Sequence, residues 1–359
     1  MTGIVHTGKR VAPRLQALDA AWFTEVLRAG GHATAAVAAV TAEPLAFTGA
    51  ASDMARMRLR YEAGGWPGPA SLIAKIRGAE GTRAAMDAAM GLYARESRFY
   101  AEFAPRVPLR TPRCYHVGDG TMKPLLLEDL AGYRAGDQMV GLTVNEARKT
   151  MDALGDLHAR FWEQPEAEAD WLVAPATGVY ADMVVHLVSS GFDALRRRYH
   201  GQVPDAVLDA AGALSTRWRD VLTATTQGPQ TLVHNDTRQD NLFFDTDDTP
   251  IFVDWQNPAR SHGTQDVANL LAGSMNTPEL SEHWEALLRR YHDRLVGNGV
   301  RHYSFDDCRG HYRQNILYPL GAGIALLGSL DIGDNRGLGD AINLRALRHC
   351  AELDAFSSV

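Results

Sequence analysis

"LVHNDTRQDNLFF", residues 232–244, places a dense group of hydrogen-bonding side chains between two short apolar runs. The apolar ends are typical of buried strands, and the polar span between them is too short for a helix of its own. A solvent-exposed turn is one interpretation. A catalytic loop is the sharper one, and residues elsewhere in the chain distinguish the two.

Length and composition limit the class of protein. At 359 residues the chain is too long for one ordinary core and suits two packed lobes. Hydrophobic residues make up 45% of it and charged residues 22%, as in soluble globular proteins. The formal net charge of −7 argues against a surface for nucleic acid or anionic membranes, which needs a basic excess.

Cysteine usage and apolar segments favour a cytoplasmic protein. The three cysteines form no CxxC pair, which suits a reducing compartment and excludes a cysteine-rich zinc site. The stretch "MTGIVHTGKRVAPR" lacks the apolar segment of a signal peptide. The longest uncharged run, residues 314–330, contains Pro319 and three glycines and is predicted to be a buried helix rather than a membrane span.

Periodicity predicts an α+β chain of two lobes. In "ARMRLRY", residues 55–61, apolar side chains alternate with arginines as in a half-buried strand, and "SLIAKI" and "KPLLLEDL" are predicted to be further strands. Helical patterns follow, beginning with a capping box at Thr143 and Glu146. We expect a strand-rich lobe at residues 1–130, a larger helical lobe at 131–359, and a small-molecule site in the cleft between them.

The spacing of the polar residues predicts chemistry on phosphates. His234-x-Asp236-x4-Asn241 is followed, thirteen residues later, by Asp254 in "IFVDWQ". Mg²⁺ prefers oxygen ligands and is commonly held by one or two protein groups together with substrate phosphates. Asn241 and Asp254 are the candidate ligands, and Asp236 is the candidate acceptor for the proton of an attacking hydroxyl group.

This segment resembles the catalytic loop and metal-binding strand of the protein-kinase-like fold, in its small-molecule branch. That branch includes aminoglycoside phosphotransferases, choline kinases and ecdysteroid-kinase-like proteins. The resemblance covers about residues 45–350 and is strongest in "DTRQDNLFF", "VDWQ" and "TQDVANLL". It implies a small N-terminal lobe with an antiparallel sheet and a helix, a mainly helical C-terminal lobe, and transfer of phosphate from ATP, with Mg²⁺, to an alcohol group of a small molecule.

A fold of this kind needs a phosphate-binding cation and a carboxylate partner upstream. Lys75 lies in the predicted strand "SLIAKI", and Glu96 shares an apolar helical face with Leu92, Phe99 and Phe103. A carboxylate on such a face is costly unless it is paired. A Lys75–Glu96 ion pair satisfies both residues, as the equivalent pair does in the family. A snorkelling lysine and a boundary glutamate are the alternative.

Other nucleotide contacts are implied by the resemblance. Gly49 and Ser52 in "FTGAASDMARM" resemble the glycine–serine loop of the small-molecule branch, although an ordinary hairpin turn is the alternative. Glu128, at the predicted hinge between the two lobes, is also a candidate nucleotide contact.

Three further residues are expected to support the catalytic loop. The resemblance implies that His234 holds its backbone, that Asp266 braces it rather than only capping a helix, and that Arg238 contacts the γ-phosphate. A salt bridge from Arg238 to Asp240, or solvent, is the alternative.

Other functions remain as alternatives. A nucleotide-binding pseudokinase would normally have lost Lys75, Asp236, Asn241 or Asp254, and all are present. A metal hydrolase using His234 and Asp236 leaves Lys75 unexplained.

For the acceptor, we expect residues 171–217 and 275–330 to line the pocket, and a neutral or weakly polar alcohol rather than a polycationic aminoglycoside. Within these segments, "DWLVAPATGVYADMVVHLVSSGFDAL" has only three acids and "NILYPLGAGIALLGSL" has none, although ammonium groups need several carboxylates. Asp331, Asp334 and Asp340 are the reservation, although neighbouring glycines favour a capping role for them.

Overall fold

The computed structural model describes residues 11–45, 52–164, 169–328 and 336–359. The chain divides into two compact units. Unit 1 contains residues up to Arg106 together with Thr111–Gly132, and unit 2 contains Val107–Arg110 and Tyr133–Val359. The architecture is α+β, as predicted, with an antiparallel sheet in unit 1 and mostly helices in unit 2.

Unit 1 is built on a five-stranded antiparallel sheet with strand order β1-β2-β3-β5-β4. The predicted strands are present. The bounds are β1 (Val37–Pro44), β2 (Ser52–Tyr61), β3 (Ser71–Arg77), β4 (Cys114–His116) and β5 (Leu125–Glu128). The helices are α1 (Pro13–Gln16), α2 (Ala20–Ala29), α3 (Gly81–Met90) and α4 (Leu92–Arg98), and α4 continues into a π-helical turn, Phe99–Phe103.

Alternation along β2 explains why it forms the sheet. Ala55 and Met57 are fully buried and pack in one cluster with Phe23 of α2, whereas Arg58 and Arg60 are exposed. Successive side chains of a strand point to opposite faces, so one face of β2 joins the core and the other meets solvent. The predicted half-buried strand is confirmed.

Unit 2 consists of helices and short strands. The helices are α5 (Val144–Phe161), α6 (Gly178–Tyr199), α7 (Asp205–Ala213), α8 (Trp218–Thr225), α9 (Thr264–Ser274), α10 (Thr277–Gly297), α11 (Phe305–Asn315), α12 (Leu317–Gly328) and α13 (Arg336–Glu352). The strands β6 (Arg134–Ala135), β8 (Leu242–Phe244) and β9 (Pro250–Phe252) form one sheet, and β7 (Thr231–Val233) pairs with β10 (Ala259–Ser261). The capping box at Thr143 and Glu146 begins α5, as predicted.

Helix α9 is the structural centre of unit 2. All of its residues are buried, and it packs against α5, α11, α12 and α13. Buried polar groups must find hydrogen-bond partners, so its polar side chains are committed to internal contacts. Within the described parts of the chain, no helix is long and apolar enough to cross a membrane.

Candidate functional site

The polar stretch forms a loop that joins β7 to β8 and ends in a single 3₁₀ turn at Gln239–Asn241. Burial alternates along it: His234, Asn235, Thr237, Gln239 and Asn241 are buried, whereas Asp236, Arg238 and Asp240 are not. An ordinary surface turn would not bury so many polar side chains. Five residues of this loop are therefore held inside the unit, and the three charged residues between them face outward.

Asp266, in the first turn of α9, holds the beginning of this loop. Its Oδ2 accepts a hydrogen bond from the backbone N of His234 at 2.7 Å, and its Oδ1 accepts one from the N of Asn235 at 2.8 Å. The hydroxyl of Thr237 donates to the backbone carbonyl of Asp266 at 2.7 Å. Asn235 has a φ of 68°, in the left-handed region that Asn tolerates better than most residues. One fully buried carboxylate thus organises the turn into Asp236.

A buried histidine supports Asp266 from behind. His158 Nε2 lies 3.3 Å from Asp266 Oδ2, and His158 Nδ1 lies 2.9 Å from the hydroxyl of Tyr291. His158 is thus a buried histidine whose two ring nitrogens both have partners. Its link to Asp266 was not foreseen, because the two residues are 108 positions apart.

His234 connects the loop to the segment after β9. Its Nε2 lies 2.9 Å from the carbonyl of Val253, and its Nδ1 accepts from the backbone N of Asp236 at 3.3 Å. The ring also packs on Trp255, with centroids 4.4 Å apart. Both ring nitrogens are engaged with the backbone, so this geometry suits a supporting residue better than a base.

Asp236, Asn241 and Asp254 form the charged and amide part of the site. Asn241 Nδ2 donates to the Oδ2 of Asp236 at 2.9 Å and to its carbonyl at 2.8 Å. The backbone N of Val253 donates to the carbonyl of Asn241 at 3.0 Å, which brings Asn241 next to the residue preceding Asp254. Asp254 has a φ of 63°, a conformation that is uncommon for a non-glycine residue and typical of functional sites.

The donor set suits a cation that keeps substrate or water ligands. Because the Nδ2 of Asn241 donates to Asp236, the Oδ1 of Asn241 is the amide atom left to bind a cation. Among the described residues, no group of three or more His, Cys, Asp or Glu side chains could hold a metal ion. Two oxygen donors without a closed ligand cage fit Mg²⁺, which usually binds through few protein groups together with phosphates.

Arg238 is shared by several carboxylates. Its Nε lies 3.4 Å from Asp236 Oδ1, and one of its terminal nitrogens lies 3.4 Å from Asp240 Oδ2. Burial acts to lower the pKa of Arg238, but Asp236, Asp240 and Asp254 outweigh it, so the pKa lies above its ordinary value. Its side chain is 28% exposed, so Arg238 is held by these charges and still reaches solvent.

Unit 1 contains the predicted ion pair. Lys75 Nζ, on β3, lies 2.6 Å from Glu96 Oε2, on α4, and the two side chains are 3% and 1% exposed. Leu92, Phe99 and Phe103 are buried along the same helical segment, so the carboxylate does lie among apolar neighbours. The pair joins the sheet to the helix inside unit 1.

The remaining nucleotide-contact candidates are placed as follows. Ser52 is the first residue of β2 and is fully buried, and among the described residues its hydroxyl has no hydrogen-bond partner. Gly49 lies outside the described residues. Glu128 ends β5, and its Oε2 accepts from the backbone N of Arg113 at 3.0 Å.

Sequence reasoning missed Tyr318 of α12. Its hydroxyl donates to Asn235 Oδ1 at 2.7 Å and lies 3.4 Å from the hydroxyl of Tyr180. Burial raises the pKa of Tyr318 well above its usual range, and Tyr180 and Asp236 add to the rise, so this phenol stays neutral. No local pattern in "NILYPLGAG" indicates such a contact.

The acidic residues near the C-terminus are only partly described. Asp331 and Asp334 lie outside the described residues. Asp340 accepts a hydrogen bond from the Tyr199 hydroxyl at 2.7 Å and forms an ion pair with Arg198. The expectation that Asp340 caps a turn or helix is wrong, because it joins α13 to α6 instead.

Comparisons with known proteins identify the family and the fold. The model of the ecdysteroid kinase-like family matches residues 46–302. The GDP complex of an aminoglycoside 2'-phosphotransferase variant is similar in fold, at 14% identity and a TM-score of 0.53, over 95% of this chain and 100% of that one. A choline kinase from Cryptosporidium parvum has 11% identity and a TM-score of 0.51, over 88% and 89% of the two chains. A macrolide 2'-phosphotransferase type I has 16% identity and a TM-score of 0.50, over 93% and 97%. No curated protein sequence matches the chain.

Proposed function

Because this chain belongs to the ecdysteroid kinase-like family, we propose that it is a small-molecule kinase that transfers the γ-phosphoryl group of ATP to a hydroxyl group of a neutral, partly apolar alcohol. The observation that carries the proposal is the loop around Asp236. Asp266 braces the backbone of this loop. The Oδ2 of Asp236 accepts a hydrogen bond from Asn241, and the Asp236 side chain is still 31% exposed. A catalytic carboxylate needs this combination of fixed position and access.

In the proposed reaction, Asp236 orients the acceptor hydroxyl and takes its proton. The acceptor oxygen forms a bond to the γ-phosphorus, the bond from that phosphorus to the bridging oxygen breaks, and ADP leaves with the electron pair. Asn241 and Arg238 contact the two carboxylate oxygens of Asp236, and so fix the direction in which it accepts the proton. Proton transfer to a positioned group of this kind contributes roughly 10²–10⁴-fold.

The phosphates are assigned to a second set of residues. Asn241 Oδ1 and Asp254 would hold Mg²⁺, which when bound neutralises charge on the β- and γ-phosphates. Lys75, oriented by Glu96, would contact the phosphates, and the Ser52 hydroxyl and the Gly49 amide would complete the set. The Ser52 hydroxyl supports its inclusion, because it is buried, has no hydrogen-bond partner among the residues that the structure describes, and would gain from an acceptor.

The preference for a neutral acceptor rests on the available carboxylates. Helix α12, which carries Tyr318, contains no acidic residue. Helix α6, which packs against α12, carries Asp182, which is paired with Arg219, and the exposed Asp193. On α13, Asp340 is paired with Arg198. Each ammonium group of an aminoglycoside would need a charged partner to replace water. An aminoglycoside acceptor is therefore the second candidate, and a pseudokinase the third.

The test is a screen for acceptor-dependent ADP release. Lipophilic alcohols of sterol, aromatic and acyl-chain type are compared with kanamycin-type aminoglycosides, with the Asp236→Asn variant as the control. We expect turnover with at least one lipophilic alcohol and none with the aminoglycosides. Turnover with aminoglycosides alone would overturn the acceptor class and leave the kinase activity standing.

Nucleotide binding separates the broader alternatives. Calorimetry with ATP, with and without Mg²⁺, should show binding that depends on the metal. A pseudokinase would bind ATP without turnover of any acceptor, and a metal hydrolase would bind metal without ATP. Either result would overturn the proposed activity.

A further inference from the structure

The catalytic loop is held at both ends of one buried helix. Asp266, near the N-terminus of α9, holds the first half of the loop. At the other end of α9, Ser274 Oγ accepts from the backbone N of Gln239 at 3.1 Å, and the same N–H donates to the Oε1 of Gln138 at 2.9 Å. We propose that Gln138 and Arg345 form a second brace that positions the distal half of the catalytic loop.

Gln138 is hydrogen-bonded both to the loop and to the end of α9. Its Oε1 also accepts from the hydroxyl of Ser274 at 3.0 Å, and its Nε2 donates to the carbonyl of Gly273 at 2.6 Å. Its backbone N donates to Asp240 Oδ1 at 2.9 Å. The residue is 1% exposed. Gln138 therefore contacts two consecutive loop residues and the last turn of α9 at once.

Arg345 of α13 fixes Gln138 in turn. One terminal nitrogen donates to the carbonyl of Gln138 at 2.7 Å, and the other donates to Asn276 Oδ1 at 2.9 Å. The amide nitrogen of Asn276 donates to the carbonyl of Val140, two residues after Gln138. Arg345 and Asn276 thus hold the same short segment from two sides.

The charge of Arg345 is unusual for its surroundings. Its residue is 7% exposed, and among the described residues it has no carboxylate partner. Burial lowers the pKa of Arg345. The carbonyl of Gly273, 3.5 Å away at the end of α9, supplies the negative pole of a helix dipole. Among the described residues, this arginine is bonded to carbonyl and amide groups, which it fixes in place.

The brace acts on catalysis through its neighbours. Gln239 and Asp240 directly precede Asn241, whose side chain holds Asp236. If Gln138 were released, the 3₁₀ turn would loosen and Asp236 would lose its fixed direction. A displacement of about 1 Å at a reacting group can reduce the rate on the order of 10²-fold. Gln138 and Arg345 are therefore positioning residues, and this effect on turnover rests on the proposed kinase function.

The experiment measures amide hydrogen exchange by NMR in the wild type and in Arg345→Met. We expect the exchange protection of the Gln239 amide to fall about tenfold, since its acceptor becomes mobile. The amides of His234 and Asn235, held by Asp266, should keep their protection. Arg348→Met is the matched control, because Arg348 lies on the same helix and is exposed. Arg345→Lys, which keeps a donor for the Gln138 carbonyl, should be intermediate.

Turnover provides the second readout. We expect kcat to fall on the order of 10²-fold in Arg345→Met, with little change in the KM of the alcohol. If that variant does not fold, Gln138→Ala directly removes the nearer of the two acceptors of the Gln239 amide. Unchanged exchange at Gln239, or equal loss of protection at all three amides, would overturn the brace. Altered exchange with unchanged kcat would overturn the positioning role. An absence of turnover in the wild type would refute the proposed function, and the exchange result would still decide on the brace.

Discussion

Two charged groups in this molecule lie in opposite environments. In unit 1, Lys75 and Glu96 are 2.6 Å apart and 3% and 1% exposed. In unit 2, Arg238 lies 3.4 Å from both Asp236 and Asp240, and these side chains are 28%, 31% and 37% exposed. The first is a closed ion pair with one geometry. The second is an open group of charges with longer contacts and access to solvent.

The difference separates structural from chemical roles. Removing one partner of a buried pair leaves an uncompensated charge away from water, so the loss appears in stability. Charges near solvent contribute little to stability, since water and ions compensate for them. Their removal should appear in turnover or ligand binding instead. Substitutions in the two regions can therefore be distinguished by which measurement they change.

The largest effect is expected in the open group. Asp236→Asn should reduce turnover by roughly 10²–10⁴-fold, because an amide cannot take the proton of the acceptor. Its unfolding free energy should stay close to that of the wild type, since the side chain is 31% exposed. Steady-state ADP release with the preferred alcohol and denaturant unfolding measure the two quantities. Near-normal turnover in the folded variant would remove Asp236 from the proposed role.

The closed pair should respond in the opposite way. Lys75→Met leaves Glu96 buried without its ammonium partner and should lower the unfolding free energy by about 3–5 kcal/mol. The double variant Lys75→Met/Glu96→Leu removes both charges and should recover most of that stability while remaining inactive. Denaturant unfolding of the single and double variants checks this. A single variant as stable as the wild type would mean that the pair is not closed in solution.

Asp254 tests whether the open group also binds the nucleotide. Asp254→Ala should weaken Mg²⁺-dependent ATP binding by at least about 10–100-fold, because a direct metal contact is lost. Calorimetry with ATP at saturating Mg²⁺ measures this, and binding without Mg²⁺ is the internal control. Unaltered affinity for the Mg²⁺ complex would assign the metal role to other residues.

The smallest effect is expected from a buried group that stays uncharged. Burial, together with His311 and His158, lowers the pKa of His262 well below its ordinary value of 6.5. The unfolded chain therefore binds a proton at acidic pH that the native His262 does not. The contribution of the neutral His262 to the unfolding free energy should be fully present above about pH 6.5. Below that pH the unfolding free energy should fall by up to roughly 1.4 kcal/mol per pH unit. Denaturant unfolding at several pH values measures the slope, and an unchanged slope in His262→Asn would contradict the assignment.

Local patterns were sufficient for much of unit 1. The alternation in "ARMRLRY" predicted β2, and the apolar face around Glu96 predicted a buried carboxylate in need of a partner. Both inferences depend on residues that are close neighbours in the sequence. The capping box at Thr143 and Glu146 is equally local. These elements could be predicted because the residues that cause each structure lie close together in the sequence.

The contacts that hold the loop around Asp236 could not be predicted in the same way. Gln138 is 101 residues from Gln239, Tyr318 is 83 from Asn235, and Arg345 is 207 from Gln138. Nothing near these residues signals which helix they will meet. The error over Asp340 has the same origin, because neighbouring glycines suggested a cap, whereas the packing of α13 beside α6 brought Arg198 to it.

The sequence by itself indicated three strands of the sheet in unit 1, the helical character of unit 2, and a set of polar residues that resembles the site of a phosphotransferase. Hydrophobic periodicity and residue type are local properties, and a burial cost such as that of Glu96 is already implied by its neighbours along the helix. The tertiary structure alone decided which polar atoms meet. A buried hydrogen bond requires two groups within about 3 Å, and that distance is set by how whole helices pack around α9.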